Sequence, residues 1–177
     1  MADLQAAKRY AQAVFEIAVQ DGTIDAWRAD LADVAAVLTD SEAAGVVADA
    51  RIPVTERIAM VGKVLDLPEK ALNLAKLLVT KGRSHEARAV LDAFNRMADE
   101  RAGIAHAQIT TAVSLSADEL AAIESRLATT TGKSISAVSV VDPNIIGGVV
   151  VRVGDELIDG SVRTRLKRLR RELEGAR

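Results

Sequence analysis

The sequence of 177 residues is poor in several residue types, and each shortage excludes or disfavours a class of protein. It contains no cysteine, which excludes disulfide bonds, thiolate metal sites and a cysteine nucleophile. Aromatic residues make up only 2% of the chain, which disfavours stacking on the bases of RNA. No apolar run reaches the roughly 18–20 residues that cross a bilayer. The formal net charge of −2 gives no global electrostatic reason to bind nucleic acid.

The N-terminus does not have the pattern of a secretory or transit peptide. Met1-Ala2-Asp3-Leu4 runs directly into an amphipathic helical pattern that contains acidic residues, whereas targeting segments are basic and poor in acidic residues. We therefore expect a soluble protein that works in the compartment where it is made. Any association with a membrane is expected to depend on a partner.

Alanine accounts for much of the 49% hydrophobic content. Because alanine is the strongest helix former and lets helices approach closely, this composition predicts a helix-rich protein with thin cores. Apolar residues recur at helical spacing over residues 1–105, where Asp21-Gly22 ends one helix and Pro53 and Pro68 favour the starts of others. About six helices with short connections predict an antiparallel six-helix bundle.

A second half of the chain begins after Gly103, where the hydrophobic period changes from about 3.6 to about 2. Its pattern predicts the order strand, helix, strand, strand, strand, helix. Ser116 and Glu119 form a capping box that opens the first of these helices. The chain as a whole is therefore predicted to be α+β and mostly α, with a helical domain over residues 1–105 and a small α/β domain over residues 106–177.

The most informative stretch of the second half surrounds a pair of glycines. Asp142-Pro143-Asn144 predicts a turn, because proline fixes φ and the Asp and Asn side chains bond to nearby backbone. Val149–Val153, β-branched at nearly every position, predicts a strand buried on both faces. Gly154-Asp155 fits a type II′ hairpin turn, and Asp159-Gly160-Ser161 offers N-cap oxygens to the last helix. Gly147-Gly148 is expected where backbone approaches backbone closely or a strand bends.

No set of residues suited to catalysis, cofactor binding or metal binding stands out. Gly147-Gly148 matches neither of the common phosphate-binding patterns, and it leads into a strand rather than a helix N-terminus. His85 and His106 have no acid or second histidine at ligand spacing, and isolated histidines are mostly surface or capping residues. We therefore expect a protein that is not an enzyme and has no cofactor and no metal.

The last helix is strongly basic. Its apolar stripe is expected to pack on the sheet and consists of Val162, Leu166, Leu169 and Leu173. This packing would turn the basic residues outward, namely Arg163, Arg165, Lys167, Arg168, Arg170 and Arg171. A solvated face, an acidic protein partner and RNA each account for such a surface, and the shortage of aromatic residues disfavours RNA.

Two helices of the first half carry more apolar residues than a single core stripe needs. On the first helix, a second row is formed by Tyr10, Ala13, Val14 and Ile17. The helix after Pro68 is also apolar on more than one side, with Leu77 between two rows. Such a helix is either central in its bundle or keeps a face for a partner, and the favoured partner is an amphipathic helix lying in a groove.

Three sets of residues resemble the delta subunit of rotary ATP synthase, called the oligomycin-sensitivity-conferring protein in mitochondria. The N-terminal set is Arg9-Tyr10-Ala11 with Ala13-Val14-Phe15. The mid-chain set is Lys81-Gly82-Arg83, Phe94 and Gly103-Ile104-Ala105. The C-terminal set, which is the most specific, is Asp142-Pro143 through Gly147-Gly148, then Gly154-Asp155 and Ile158–Arg163. The resemblance covers essentially the whole chain.

This resemblance implies a non-catalytic stator subunit that links the peripheral stalk to the top of the catalytic head of the proton-translocating ATP synthase. The helical domain would receive N-terminal helices of alpha subunits in a groove between its first and fifth helices, formed by Tyr10, Ala13, Ile17, Asn73, Lys76, Leu77 and Thr80. The C-terminal domain would hold the peripheral-stalk b subunits. The residues of its structural motif would be Asp142, Pro143, Gly147, Gly148, Gly154, Asp159, Gly160, Ser161 and Arg163.

The implied location is the cytoplasmic face of the bacterial plasma membrane, which the subunit would reach only through the complex and without binding nucleic acid. The alternative that the residues leave open is a basic RNA- or ribosome-associated adaptor acting through the C-terminal helix. Salt-dependent RNA binding would favour the adaptor, whereas co-purification with the membrane-bound ATPase would favour the stator.

Overall fold

The chain is mostly helical and contains one small four-stranded sheet. The computed structural model describes residues 2–154 and 156–175. The predicted α+β class, mostly α, is therefore confirmed. The chain divides into two compact units, Met1–Ala98 and Asp99–Arg177.

The N-terminal unit is built from helices joined by short connections. A π-helical turn, Ala36–Asp40, continues the second helix, and a 3₁₀ turn, Ser84–Glu86, leads into the last. Pro53 and Pro68 each occupy the N-cap position of a helix. The helices are α1 (Ala2–Asp21), α2 (Ile24–Ala35), α3 (Glu42–Ala48), α4 (Val54–Val64), α5 (Glu69–Thr80) and α6 (Ala87–Arg101).

The core of this unit combines small and large side chains. Ala7, Ala11 and Ala18 make up most of a buried stripe on α1, and their small side chains let neighbouring helices approach closely. Phe94 of α6 is fully buried and meets Phe15 of α1 edge-on, with the ring centroids 5.8 Å apart. A T-shaped aromatic pair adds about 0.5–1.5 kcal/mol to the stabilisation from buried area. This contact ties the first helix to the last.

The C-terminal unit contains a sheet in the order β2-β1-β3-β4. Strands β1 and β2 are parallel and are joined through α7, while the other pairs are antiparallel. The predicted capping box is present, because Ser116 Oγ accepts from Glu119 N and the Glu119 carboxylate accepts from Ser116 N. The elements are β1 (Ile104–Thr111), α7 (Ala117–Thr131), β2 (Ser134–Val141), β3 (Val149–Val153), β4 (Glu156–Asp159) and α8 (Val162–Gly175).

The two units divide before Asp99, within α6. Helical structure continues to Arg101, and the domain boundary after residue 105 stays a prediction. The end of α6 already bonds within the second unit, since Asp99 Oδ2 lies 2.7 Å from His106 Nε2. In addition, Ser134 N donates to Gly103 O at 3.0 Å.

The prediction that β3 is buried on both faces is wrong. Val151 is the buried residue of this strand, and Arg152 is exposed. Helix α7 covers one face of the sheet, where Leu127 packs with Ile109 and Val151. Across the strands, Arg152 pairs in register with Gln108, which is also exposed and lines the open face. A run of β-branched residues therefore predicts a strand but does not show how many faces of that strand are covered.

The prediction that the apolar stripe of the last helix packs on the sheet is also wrong. All four of its members are exposed, namely Val162, Leu166, Leu169 and Leu173. The side chains that fill the covered face of the sheet come instead from α7 and the segment before it, including Leu115, Leu120 and Ile123. The stripe of α8 remains in solvent.

Candidate functional site

Helix α1 presents two different faces. Ala7, Ala11 and Ala18 face the core, and Val14 joins them, so Val14 does not belong to the second apolar row predicted for this helix. The rest of that row behaves differently. Tyr10 is half-buried, while Ala13 and Ile17 are exposed.

Helix α5 is divided in the same way. Leu74, Ala75, Leu78 and Val79 are buried, whereas Leu77 is 41% exposed. The other residues that the resemblance places at the groove are also accessible: Asn73 and Thr80 are exposed and Lys76 is half-buried. The large apolar side chain of Leu77 therefore faces outward.

The outward residues of α1 and α5 meet in one open groove. Tyr10, Ala13 and Leu77 line a groove of about 590 Å³ together with Arg9, Lys81 and Arg83. We refer to these six residues as the α1/α5 groove. Ile17, Asn73, Lys76 and Thr80 lie on the same two helices but are not among the lining residues. The structure therefore brings together three of the seven predicted groove residues.

The two helices of the groove run antiparallel. Lys70, at the start of α5, forms an ion pair with Asp21, at the end of α1. Leu77, towards the end of α5, lies with Tyr10, nearer the start of α1. A groove with apolar side chains between two helices is a geometry that accepts an amphipathic helix.

Arg9, Lys81 and Arg83 also line the groove, although they are not among the seven residues predicted for it. The available signal was their position, since Arg9 precedes Tyr10 and Lys81 follows the last turn of α5. Positive charge at the border of an exposed apolar row is typical of an interface rim.

The exposed stripe of α8 forms a second candidate surface. Leu166, Leu169 and Leu173 line an open groove of about 530 Å³ with Arg170 and Glu174. Arg170 donates from Nε to Glu174 Oε1 at 2.8 Å, one helical turn further on. Three leucines on one side of a terminal helix make an apolar patch of the kind that marks a protein interface.

Helix α8 is fixed at its first turn by the glycine-rich motif. Val162 N donates to Gly147 O at 2.9 Å, and Gly160 N donates to Val149 O at 2.9 Å. Gly148 has φ of +85°, and a Cβ atom built there lies 2.5 Å from Gly160 O. These contacts agree with the expectation that backbone approaches backbone at the glycine pair. Gly154 has φ of +58°, but the turn also involves Asp155, which lies outside the described residues.

Asp159 and Ser161 cap this helix. Asp159 accepts from Thr164 Oγ1 at 2.6 Å and from Ser161 N at 2.9 Å, and these hydrogen bonds hold its pKa below the ordinary value. Ser161 Oγ accepts from Thr164 N at 3.2 Å. Because the folded pKa is the lower one, this stabilisation is present above the unfolded pKa and is lost as the pH falls through the folded value.

The turn before the glycine pair is closed by Asp142. Its carboxylate accepts from Asn144 N at 2.9 Å and from Asn144 Nδ2 at 2.8 Å. The bonds from Asn144, with a smaller contribution from the charge of Arg163, lower the pKa of Asp142. Pro143 lies inside this turn, so the segment has the structural role that its residues predict.

The part of the chain that the structure describes offers few side-chain groupings suited to catalysis or metal binding. His106 contacts Asp99, an acid seven positions earlier that the sequence analysis did not connect with it. His85 is exposed. Among the described residues, no cluster of three or more His, Cys, Asp or Glu side chains could hold a metal ion. None of the helices described is long and apolar enough to span a bilayer.

Comparison with known proteins decides the family. A family described as ATP synthase delta (OSCP) subunit matches residues 6–173. A Dehalococcoides mccartyi protein named ATP synthase subunit delta is 35% identical over 97% of this chain and 95% of its own length. A Moorella thermoacetica protein of the same name is 33% identical over 99% of this chain and 100% of its own length. The chain belongs to the ATP synthase delta (OSCP) subunit family.

A solved structure shows the same fold as this delta-family chain. One chain of the cryo-EM structure of the Toxoplasma gondii mitochondrial ATP synthase hexamer superposes with a TM-score of 0.68. The match covers 94% of this chain and 96% of the other at 21% identity. The comparisons give no support to the alternative of an RNA- or ribosome-associated adaptor.

Proposed function

We propose that the two units of this chain hold two different partners within the ATP synthase. The chain is a non-catalytic stator subunit that links the peripheral stalk to the top of the catalytic head, so that rotor torque is coupled to ATP synthesis. A stator has no turnover of its own, and its performance depends on slow dissociation from its partners. Its functional sites are therefore binding surfaces.

The N-terminal partner in this proposal is the N-terminal helix of an alpha subunit. The observation that carries the proposal is the α1/α5 groove, where Tyr10, Ala13 and Leu77 form an accessible apolar surface between antiparallel helices. In this proposal the six helices pack as one bundle, which keeps the groove rigid and limits the entropy lost on binding. Ile17, Asn73, Lys76 and Thr80 extend the contact along the same two helices.

The C-terminal partner in this proposal is the peripheral stalk, through its b subunits. The exposed stripe of Leu166, Leu169 and Leu173 on α8 supports this assignment, because it offers apolar area that nothing in the described chain covers. A helical stalk lying along α8 would bury this stripe. The basic residues beside it would lie at the rim, where charge contributes more to association rate and register than to affinity.

The proposed location follows from these two attachments. As a subunit of the complex, the protein lies at the membrane without a spanning helix among its described residues. We place it on the cytoplasmic face of the bacterial plasma membrane, attached through the catalytic head and the stalk.

The groove is tested by adding one charge to it. Ala13→Asp places an unpaired carboxylate in the contact, where its desolvation is not compensated. We expect the folded variant to bind an alpha-subunit N-terminal peptide at least ~30-fold more weakly, measured by calorimetry on the full chain. The matched control is Ala59→Asp, also at an exposed alanine, on α4 outside the groove lining, which should bind normally. Unchanged affinity in a folded Ala13→Asp variant would remove the groove from the mechanism.

A further inference from the structure

The α1/α5 groove has a positively charged end. Arg9, Lys81 and Arg83 are half of its lining, and none of the six described lining residues carries a carboxylate. Arg9 and Lys81 are exposed, while Arg83 is half-buried. Three cations around a concave apolar surface create a local potential that attracts acidic side chains.

Arg83 lies beside a buried acid. Glu86, in the turn before α6, is only 3% exposed, and its Oε1 lies 3.8 Å from Arg83 Nε. Its Oε2 is buried and has no hydrogen-bond partner in the described part of the chain. Because an uncompensated buried carboxylate is costly, this arrangement strongly favours keeping the Arg83 guanidinium beside it. The pair involves Nε, so the terminal nitrogens of Arg83 can donate to a second carboxylate.

The opposite end of the α1–α5 pair is acidic. Asp21, Asp30 and Glu69 line a separate cavity of about 370 Å³ there, and the single cation in its described lining is Lys70, which is paired with Asp21. Asp21 lies eleven residues after Tyr10 on α1, which corresponds to about 16 Å along the helix. The sign of the surface charge therefore reverses over about three helical turns.

We infer that the α1/α5 groove selects and orients its helix by charge, binding the acidic end of an amphipathic helix at Arg9, Lys81 and Arg83 and directing the basic end towards Asp21, Asp30 and Glu69. Glu86 acts as a positioning residue for Arg83. This inference rests on the proposed function, in which the groove receives a helix. Apolar contacts supply affinity but little direction, whereas complementary charge fixes register and excludes a reversed helix.

The first test measures how binding depends on the acidic residues of the probe. The probe is the alpha-subunit N-terminal peptide, compared with a variant in which every Asp and Glu is replaced by Asn and Gln. We expect Arg9→Gln and Lys81→Gln each to weaken binding of the native peptide by about two- to fivefold at low salt, and less at high salt. Both variants should weaken binding of the neutral peptide by a smaller factor than binding of the native peptide, because only the contact of their aliphatic stems is lost there. Lys8→Gln, an exposed lysine outside the groove lining, is the matched control.

The second test concerns Glu86. Glu86→Gln should release Arg83 and weaken binding of the native peptide by a similar factor, with a smaller effect on binding of the neutral peptide. Arg83→Gln should have the same selective effect. A purely structural role would weaken both peptides equally or lower only the melting temperature. Equal losses for both peptides would therefore overturn the assignment of Glu86 as a positioning residue.

The third test reads the direction of the bound helix. Because the sequence has no cysteine, single cysteines at Gln12 and Gln20 can carry a nitroxide label without other changes. The label at Gln12 should broaden the NMR signals of the acidic end of the peptide, and the label at Gln20 those of the other end. The reversed pattern, or equal broadening from both sites, would overturn the inferred orientation.

The inference and the proposed function fail in different ways. Leu77→Asp should abolish binding of both peptides if the groove is the binding site at all. If neither peptide binds the unaltered chain, or if Leu77→Asp has no effect, the proposed function and the inference fail together. If Leu77→Asp abolishes binding but both peptides bind the unaltered chain equally at low salt, only the charge-based selection is overturned.

Discussion

Gly148 shows how a single residue fixes the start of a helix. Its φ of +85° is a conformation that side chains rarely adopt, and a Cβ atom there would lie 2.5 Å from Gly160 O. Gly160 in turn donates to Val149 O, and the next hydrogen bond along, from Val162 N to Gly147 O, fixes the first turn of α8. The glycine therefore determines where the stripe of α8 begins.

Gly148→Ala should destabilise the C-terminal unit by at least ~2 kcal/mol, because backbone strain and a clash with backbone act together. The matched control is Gly132→Ala, which has a similar positive φ of 69° but nothing within 4 Å of the added carbon. That variant should cost only about 1 kcal/mol. Denaturant melts followed by circular dichroism measure both. Equal losses would show that the close contact with Gly160 contributes nothing.

Local structures that depend on residues close together in the chain could be predicted from the sequence. The Ser116–Glu119 capping box and the Asp142–Asn144 turn both depend on atoms within three positions, and both are present. The contact between His106 and Asp99 was not predicted, because it depends on a turn that brings a helix end back to a strand. Likewise, no pattern in the sequence indicates that the Glu86 side chain is buried beside Arg83.

At the scale of secondary-structure elements, the amphipathic pattern located apolar faces but not what covers them. On α5 the pattern left open whether Leu77 is core or surface, and the structure exposes it. On α8 the pattern predicted packing on the sheet, and the structure leaves the stripe in solvent. An apolar stripe shows that a helix needs a partner surface, but it does not show whether that surface belongs to the same chain.

Two leucines of the C-terminal unit test this point. Leu127 of α7 is 8% exposed and belongs to the core, whereas Leu169 of α8 is 52% exposed. Leu127→Ala should therefore cost about 2–4 kcal/mol of unfolding free energy, and Leu169→Ala less than ~1 kcal/mol. Chemical denaturation of the full chain compares them directly. A loss for Leu169→Ala as large as that for Leu127→Ala would mean that the stripe is covered in the free protein.

The two substitutions should have the opposite ranking when attachment to the peripheral stalk is measured instead of stability. Leu169→Ala should weaken attachment to the peripheral stalk, since removing an apolar anchor from an interface typically costs ~1 kcal/mol or more. Leu127→Ala should leave attachment intact as long as the chain is folded. Pull-down of ATP synthase stalk subunits at a temperature where both variants are folded measures this ranking.

At the scale of the whole molecule, each unit has a hydrophobic core of its own. The N-terminal core contains Phe94 and Phe15, and the C-terminal core is the smaller cluster around Ile109 and Val151. Domains with separate cores fold as separate units unless their interface is large and apolar. The change of period in the sequence predicts two halves, and the boundary that it places after residue 105 stays a prediction.

The single tryptophan makes the independence of these cores measurable. Trp27 is 5% exposed and lies in the N-terminal unit, so its fluorescence reports on that unit, whereas far-ultraviolet circular dichroism reports on both. Phe94→Ala empties a fully buried site and should cost about 3–5 kcal/mol of unfolding free energy. It is therefore expected to lower the temperature of the fluorescence transition strongly. Gly148→Ala should lower the unfolding temperature of the C-terminal unit alone. This change should appear in the circular dichroism signal and not in the fluorescence signal. If both variants shifted both signals equally, the chain would unfold as one cooperative unit, and the independence of the two cores would be contradicted.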